Sequence, residues 1–445
     1  MDPIAMGRSR QGLPVFMCGF RPFFLLTAAC APLFMLVWLL VLKGALPAWQ
    51  PPGGALLWHA HELIFGFATA AIAGFTLTAV PEFTATAPLG RRPLVRLVLL
   101  WLAARLAYAA AAWWPAALGL WPAALCNLAL WLLLLAHLAP PLWRDPARAH
   151  VSFAWALAAL MLLQAGFFAA LALGADALAW LHAAVGAMMA LIVIATSRIS
   201  MSVVNGYMEQ GRPGAPAPEA VYLARPPRRN LAIFTIAACT LVEFVLGDDA
   251  VSGWTALAAA AAMLHLLNDW HVGRRLFTRW ALMLYASYWL IALGYGLLGA
   301  AWLGAPLAPS AGRHLLMAGA MGLSIFAVMT MAGRIHAGLW LDRRPWLPLA
   351  ASLLVLAALM RAAAGTALGA AGMPVLLALS GGLWAAAFAA YLWHAWPALA
   401  GPRGDGLTGC EEPVVAPGGG QAGYPVEEAA AVSVQGHPGR GRPGC

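Results

Sequence analysis

Histidines gather at one end of three apolar segments in this 445-residue sequence. His59 and His61 belong to the run WHAHE at residues 58–62, and His182 and His314 each stand near the beginning of a later apolar segment. Neutral imidazole is a good ligand for haem iron and copper. Ionisable side chains at membrane depth usually face the protein interior and carry function. These histidines therefore predict a haem or metal site.

The spacing of His59 and His61 limits how they can bind a metal. Residues two apart on an α-helix point about 200° apart, so the two imidazoles cannot share one metal from a regular helix. Glu62 follows His59 by three residues and shares its helix face, where it could orient an imidazole through a hydrogen bond. The alternative for any one of these histidines is a position at the membrane interface without a ligand role.

Two further charges fall deep inside apolar segments. Arg105 lies midway through the third segment and Glu243 lies in the seventh. Each needs a partner or water at membrane depth. The sequence leaves three roles open for them: pairing with each other, binding a propionate, or lining a proton path.

The composition indicates a polytopic membrane protein. The chain is 62% hydrophobic and 10% charged, whereas soluble proteins average about 25% charged residues. The net charge of +9 does not indicate a nucleic-acid partner, because the basic residues lie in short loops between apolar segments. The six cysteines form no CxxC pair, which argues against a disulfide framework, a zinc finger or a cysteine-ligated cluster; they are Cys18, Cys30, Cys126, Cys239, Cys410 and Cys445.

A membrane span needs about 20 apolar residues, and twelve segments meet this length. We place them near residues 20–42, 57–80, 94–113, 118–138, 151–173, 177–197, 229–247, 252–269, 280–300, 313–333, 347–367 and 374–396. Only Lys43 and Arg313 of the 26 Lys and Arg residues fall in the loops opposite the arginine-rich ones. Since basic loops stay in the cytoplasm, both termini are predicted to be cytoplasmic.

The predicted organisation is therefore all-α. It comprises a cytoplasmic N-terminal segment at 1–19, a twelve-helix transmembrane domain at 20–397, and a cytoplasmic tail at 398–445 that is rich in Gly and Pro and predicted to be disordered.

A weak internal similarity links the histidine-bearing spans. His182 precedes a Gly-Ala-Met run at 186–188, and His314 precedes another at 319–321. The second, sixth and tenth spans are four spans apart. Because the arginine-poor loops are predicted to lie outside, His59, His61, His182 and His314 are predicted near the outer ends of these spans and are called the outer histidines. The spacing is compatible with three four-helix units whose outer histidines converge near a central axis.

Several motifs resemble a known family. FRPFF at 20–24, WHAHELIFGF at 58–67 and AAIAGFTLTAVP at 70–81 resemble the beginning of NnrS family proteins, and residues 314–338 resemble a second family region. His59, His61, Glu62, His314 and His336 fall at matching motif positions.

The resemblance implies a protein of the bacterial inner membrane that contains haem and copper. It also implies a link to nitric oxide metabolism and to protection from nitrosative stress, with nitric oxide or a related small molecule as the partner besides the lipid bilayer. On this interpretation His59, His61, His182 and His314 bind the cofactor, and Glu62 and His336 are further candidates for the metal site. Enzymatic turnover and oligomeric state stay open.

Two other functions are compatible with the sequence. Twelve spans with both termini inside also suit a transporter of the major-facilitator type, although such transporters repeat every six spans. The second alternative is a membrane scaffold that helps metal loading without chemistry of its own.

Overall fold

Twelve long helices make up most of the described part of the protein. The computed structural model describes residues 13–410 and residue 413, and within them twelve helices are long and apolar enough to cross a membrane. They are α1 (Phe20–Leu42), α2 (Ala55–Phe83), α3 (Arg91–Ala110), α4 (Trp121–Arg144), α5 (Val151–Leu173), α6 (Ala177–Val204), α7 (Pro226–Leu246), α8 (Ala250–Trp270), α9 (Arg279–Trp302), α10 (Pro309–Ile335), α11 (Trp346–Ala363) and α12 (Gly369–Ala400).

The fold class and the number of spans predicted from the sequence are confirmed. Hydrocarbon offers no partner to backbone N–H and C=O groups, so an apolar segment of this length satisfies them within a helix. The helix ends differ from the apolar boundaries by several residues. For example, α6 begins after Asp176, whose carboxylate caps the helix, and continues through Arg198 to Val204. Hydropathy marks the lipid-exposed length, whereas caps and turns decide where a helix ends.

The packing places α2, α6 and α10 together at the centre. Each of these three helices contacts the other two. Helices α3, α4 and α5 connect α2 to α6 around the outside, α7, α8 and α9 connect α6 to α10, and α11, α12 and α1 connect α10 back to α2. The apolar windows of α2 and α10 are 89% and 72% buried, against 17% for α7. The spans thus group in fours, as the spacing of the outer histidines suggested.

The two ends of the described chain meet beside the N-terminal end of α1. Cys18 and Cys410 form a disulfide across a sequence separation of 392 residues. The sequence argued against a disulfide framework and gave no indication of this single pair. Chain spacing cannot reveal a pair that only the closure of the helix ring brings together. Arg21 is buried and donates a hydrogen bond of 2.7 Å to the carbonyl of Gly401.

The predicted tail falls partly on residues that the structure describes. Helix α12 continues to Ala400, and Arg403 beyond it is buried and paired with Asp405 at 2.6 Å. Arg403 also donates to the carbonyl of His336 at 3.1 Å, and the carbonyl of Cys410 contacts the ring of His336, so these two residues attach the segment to the helical domain. The prediction of disorder for residues 411–412 and 414–445 lies outside the described residues.

Candidate functional site

A cavity of about 460 Å³, called the outer cavity below, lies at the end of the three central helices that the arginine distribution predicts to face outward. Its walls come from α1, α2, α6, α10, α11 and α12 and are mostly apolar. His59 of α2, His182 of α6 and His314 of α10 all line it. The volume lies within the range of about 300–1,000 Å³ that is usual for small-molecule and cofactor cavities. Three of the four histidines singled out from the sequence are thus brought to one cavity.

Two of the central helices change their winding beside this cavity. A π-helical turn follows His61 in α2 (Glu62–Phe67), and another follows His314 in α10 (Leu315–Met321). The matching stretch of α6 is α-helical throughout. Turns of π-helix are rare and occur often at functional sites. Here they rotate the helix downstream of each histidine relative to the residues before it.

One ring nitrogen of His314 is bonded within its own helix, which leaves the other ring nitrogen for a ligand. Its Nδ1 lies 2.7 Å from the carbonyl oxygen of Ser310. A carbonyl can only accept a hydrogen bond, so Nδ1 carries the proton and Nε2 keeps its lone pair. This is the second-shell arrangement that metal-bound histidines usually show.

His182 is oriented by a carboxylate. Its Nδ1 lies 3.5 Å from Oε1 of Glu243, and the same oxygen accepts a hydrogen bond of 2.6 Å from Arg313. Arg313 also lies 3.7 Å from Asp248 at the rim of the cavity. The partner of Glu243 is therefore this His182–Arg313 pair rather than Arg105.

His59 is the third histidine of the cavity, and one of its ring nitrogens lacks a hydrogen-bond partner among the described residues. Its ring stacks on Trp38 with centroids 4.2 Å apart. Its Nδ1 is buried and has no hydrogen-bond partner in the described part of the chain. A buried nitrogen without a partner costs free energy unless a ligand satisfies it.

His61 lies outside this cavity, on the other side of α2. Its Nδ1 is 2.9 Å from Glu62, and its Nε2 is 2.9 Å from the side-chain nitrogen of Gln164. Since the carboxylate accepts and the amide nitrogen donates, both ring nitrogens of a neutral imidazole are satisfied. The ring stacks on Phe167 of α5, with centroids 4.8 Å apart. The geometry agrees with the prediction that His59 and His61 cannot bind one metal together.

A buried polar network surrounds His61. Arg105 of α3 lies 3.3 Å from Glu62 and donates to the carbonyl of Phe65 at 2.7 Å, and its guanidinium also bonds to Asn127. Phe65 belongs to the π-helical turn of α2, where the shifted helix bonds leave carbonyls for outside donors. The indole N–H of Trp101 in α3 donates to the next carbonyl, that of Gly66, at 3.0 Å. The network thus stabilises the π-helical turn that follows the histidine run.

His336 lies at the opposite end of α10 from His314. Its Nδ1 contacts the carbonyl of Cys410 at 3.1 Å, and its Nε2 lies 3.6 Å from Glu82. Twenty-two helical residues correspond to roughly 30 Å, so His336 cannot share a metal with the outer histidines. It lines a separate inner cavity of about 160 Å³.

The donor set of the outer cavity suits a cofactor that needs few protein ligands. In residues 13–410 and 413 no group of three or more His, Cys, Asp or Glu side chains is arranged to hold a metal ion. A haem iron takes only one or two axial ligands from the protein. The free lone pair of His314 and the unpartnered nitrogen of His59 fit that requirement.

Sequence reasoning overlooked Arg361 as a site residue. It projects from α11 and lines the same cavity as the histidines, together with Arg313. Its position inside an apolar span was the signal that could have indicated it, because such charges usually face a functional interior. Since Arg313 is already paired with Glu243 and Asp248, Arg361 is the guanidinium that gives the cavity wall a preference for an anionic group.

These features define a polytopic helical membrane protein with a histidine-lined cavity of cofactor size between its central helices. The chain matches the family model described as NnrS protein over residues 14–403. It therefore belongs to the NnrS family. No curated protein matches it.

Proposed function

We propose that this protein binds haem in the outer cavity and acts at the bacterial inner membrane in nitric oxide metabolism or in protection from nitrosative stress. The observation that carries the proposal is the convergence of His59, His182 and His314 from three helices on one largely apolar cavity of about 460 Å³. Membership of the NnrS family supports the link to nitric oxide.

Different residues of the cavity would hold the iron and the propionates of the haem. His314, fixed by Ser310, is the first residue that would hold the iron, and His59 is the second. Arg361 would bind a propionate through charge-assisted hydrogen bonds, whereas Arg313 is already paired with Glu243. A bound haem would supply an iron that binds nitric oxide or passes an electron.

Copper is the second metal of the proposal. His182, oriented by Glu243, is its candidate ligand, and Met317 and Met321 line the same cavity. Imidazole and thioether are both suitable ligands for copper. Metal analysis of the purified protein tests this part separately.

His61 and Glu62 act as positioning residues in this proposal. Their hydrogen bonds to Gln164 and Arg105 fix the beginning of α2 and thereby the direction of His59. His336 lies at the inner cavity and takes no part in the outer site.

The test is the absorption spectrum of the full chain purified after expression with ample haem and iron. We expect a Soret band that shifts when nitric oxide is added. The variants His314→Ala and His59→Ala are each expected to lower or shift the band. His394→Ala is the matched control, because His394 lies on α12 outside the cavity and stacks on Trp346.

A protein without a Soret band would overturn the haem proposal. A band that is unchanged in His59→Ala, His182→Ala and His314→Ala would overturn the assignment of the outer histidines. The grouping of spans in fours around α2, α6 and α10 differs from the two six-span halves of a major-facilitator transporter, so no structural observation favours that alternative.

A further inference from the structure

The space between the central helices does not end at the outer cavity. A second cavity of about 70 Å³ lies halfway along α2, α6 and α10, and the inner cavity of about 160 Å³ follows it. The outer and middle cavities share the side chain of Met321. The middle and inner cavities share Phe24, Phe75 and Val328. Three cavities therefore follow one another along the axis of the bundle, and each pair of neighbours shares at least one lining side chain.

The lining of the middle cavity is apolar. Apart from Thr76, Thr196 and Ser324, its side chains are Ala, Ile, Leu, Met, Phe and Val. The hydroxyl of Thr76 donates to the carbonyl of Ile72 at 2.7 Å, and that of Ser324 donates to Met321 at 3.1 Å. These two protons are used within their own helices, so the wall offers little to a water molecule or an ion. Cavities of this kind remain dry and bind xenon or small apolar molecules.

The size of the middle cavity limits what can enter it. One water needs about 10–15 Å³ of such a cavity, so about 70 Å³ accommodates a molecule of only a few atoms. An ion with its hydration shell does not fit, and a bare ion would lose its solvation without a charged partner. The neighbouring charged groups line the other two cavities: Glu82, Arg198 and His336 the inner one, and Asp248, Arg313 and Arg361 the outer one.

We propose that the axis between α2, α6 and α10 is a conduit for a small neutral molecule of diatomic size, leading from the inner cavity beside His336 to the outer histidine cavity. The identity of the molecule as nitric oxide or a similar neutral gas rests on the function proposed above. Rotamer changes of the side chains of Met321 and Val328, which lie between neighbouring cavities, open the passage from one cavity to the next.

Xenon is the probe for this conduit, because it binds apolar cavities and needs no cofactor. Crystals of the full chain are pressurised with xenon, and its anomalous scattering locates it. We expect a xenon site between Ala71, Ile192 and Val328 in the wild-type protein.

Two variants and one matched control test the position of the site. Ile192→Phe and Val328→Phe place a ring into the middle cavity and are expected to abolish xenon binding there. Ile194→Phe is the control, since Ile194 is partly buried on the same helix but lies outside the cavity lining. Residues two apart on a helix point about 200° apart, so this control is expected to keep the xenon site.

Absence of xenon from the wild-type crystal would overturn the conduit, as would ordered water hydrogen-bonded through the middle cavity. Equal loss of xenon in Ile194→Phe and Ile192→Phe would also overturn the assignment. The result is separate from the fate of the proposed function, because a protein without a Soret band can still bind xenon. In haem-loaded protein, xenon is further expected to change the fraction of photodissociated carbon monoxide that rebinds from within the protein, and Ile192→Phe is expected to remove this effect.

Discussion

At the residue scale, hydrogen bonds distinguish histidines that the sequence presents as equivalent. His61 has both ring nitrogens satisfied inside a buried network, whereas His59 two residues earlier has a buried nitrogen without a partner in the described structure. A satisfied imidazole would have to give up a hydrogen bond to bind a metal, which costs free energy in a low-dielectric interior. The partners of each ring therefore decide which histidine is available to a ligand.

The charge pair beside His61 gives the first prediction for stability. Arg105→Leu leaves Glu62 buried without its cation, and breaking a buried pair costs about 3–5 kcal/mol. We expect a marked loss of thermal stability in detergent and partial recovery in the double variant Arg105→Leu with Glu62→Leu. Arg96→Leu is the control, because Arg96 is exposed on the same helix and surface changes cost within about 0.5 kcal/mol. Equal stability of the Arg105 and Arg96 variants would contradict a stabilising role for the pair.

At the element scale, the π-helical turns of α2 and α10 distinguish these helices from the rest of the bundle. The turn in α2 needs a residue without a side chain at Gly66. A Cβ there would lie 2.7 Å from Nη1 of Arg105 and 3.0 Å from the ring of Phe34. Arg105 cannot move away easily because Phe65 and Glu62 hold it. The absence of a side chain at Gly66 therefore leaves room for the guanidinium of Arg105 beside the π-helical turn.

Gly66→Ala is expected to destabilise the protein by about 1–3 kcal/mol, the usual cost of overpacking a filled interior. Gly296→Ala is the matched control in α9, where an added Cβ meets nothing within 4 Å. Removing a glycine from an open helix position stabilises by roughly 0.5–1 kcal/mol. Chemical denaturation of both variants in detergent measures the difference, and an unchanged Gly66→Ala protein would show that the contact is not restrictive.

At the scale of the whole molecule, the ring of helices brings the two ends of the described chain together. Helix α12 packs against α1, and Cys18 and Cys410 are joined beside that contact. The carbonyl of Cys410 contacts His336 at the inner cavity. The disulfide and this contact therefore link both ends of the described chain to the inner end of α10.

Thiol labelling of protein purified without reductant tests this closure. We expect a maleimide to modify Cys126, which is partly exposed and free, but to modify Cys18 and Cys410 only after reduction. Peptide mass mapping identifies the labelled residues. Modification of Cys410 before reduction would show that the two ends are not covalently joined under these conditions.

The sequence by itself determined the class of protein, the twelve spans and the position of His59, His182 and His314 at one common end of their spans. These properties follow from hydropathy, helix geometry and the arginine distribution, all of which act locally along the chain. It also indicated that His59 and His61 face apart, because helix periodicity requires it. The family motifs were visible in the same way.

The tertiary structure alone decided which histidines meet, which charges pair and where the chain closes. His182 and Arg313 converge on Glu243, Arg105 pairs with Glu62, and Arg361 faces the outer cavity. Residues on different helices acquire neighbours only through packing, and apolar segments of similar composition carry little information about which of them touch. The axis that links the three cavities exists for the same reason, since it belongs to no single helix but to the space between three of them.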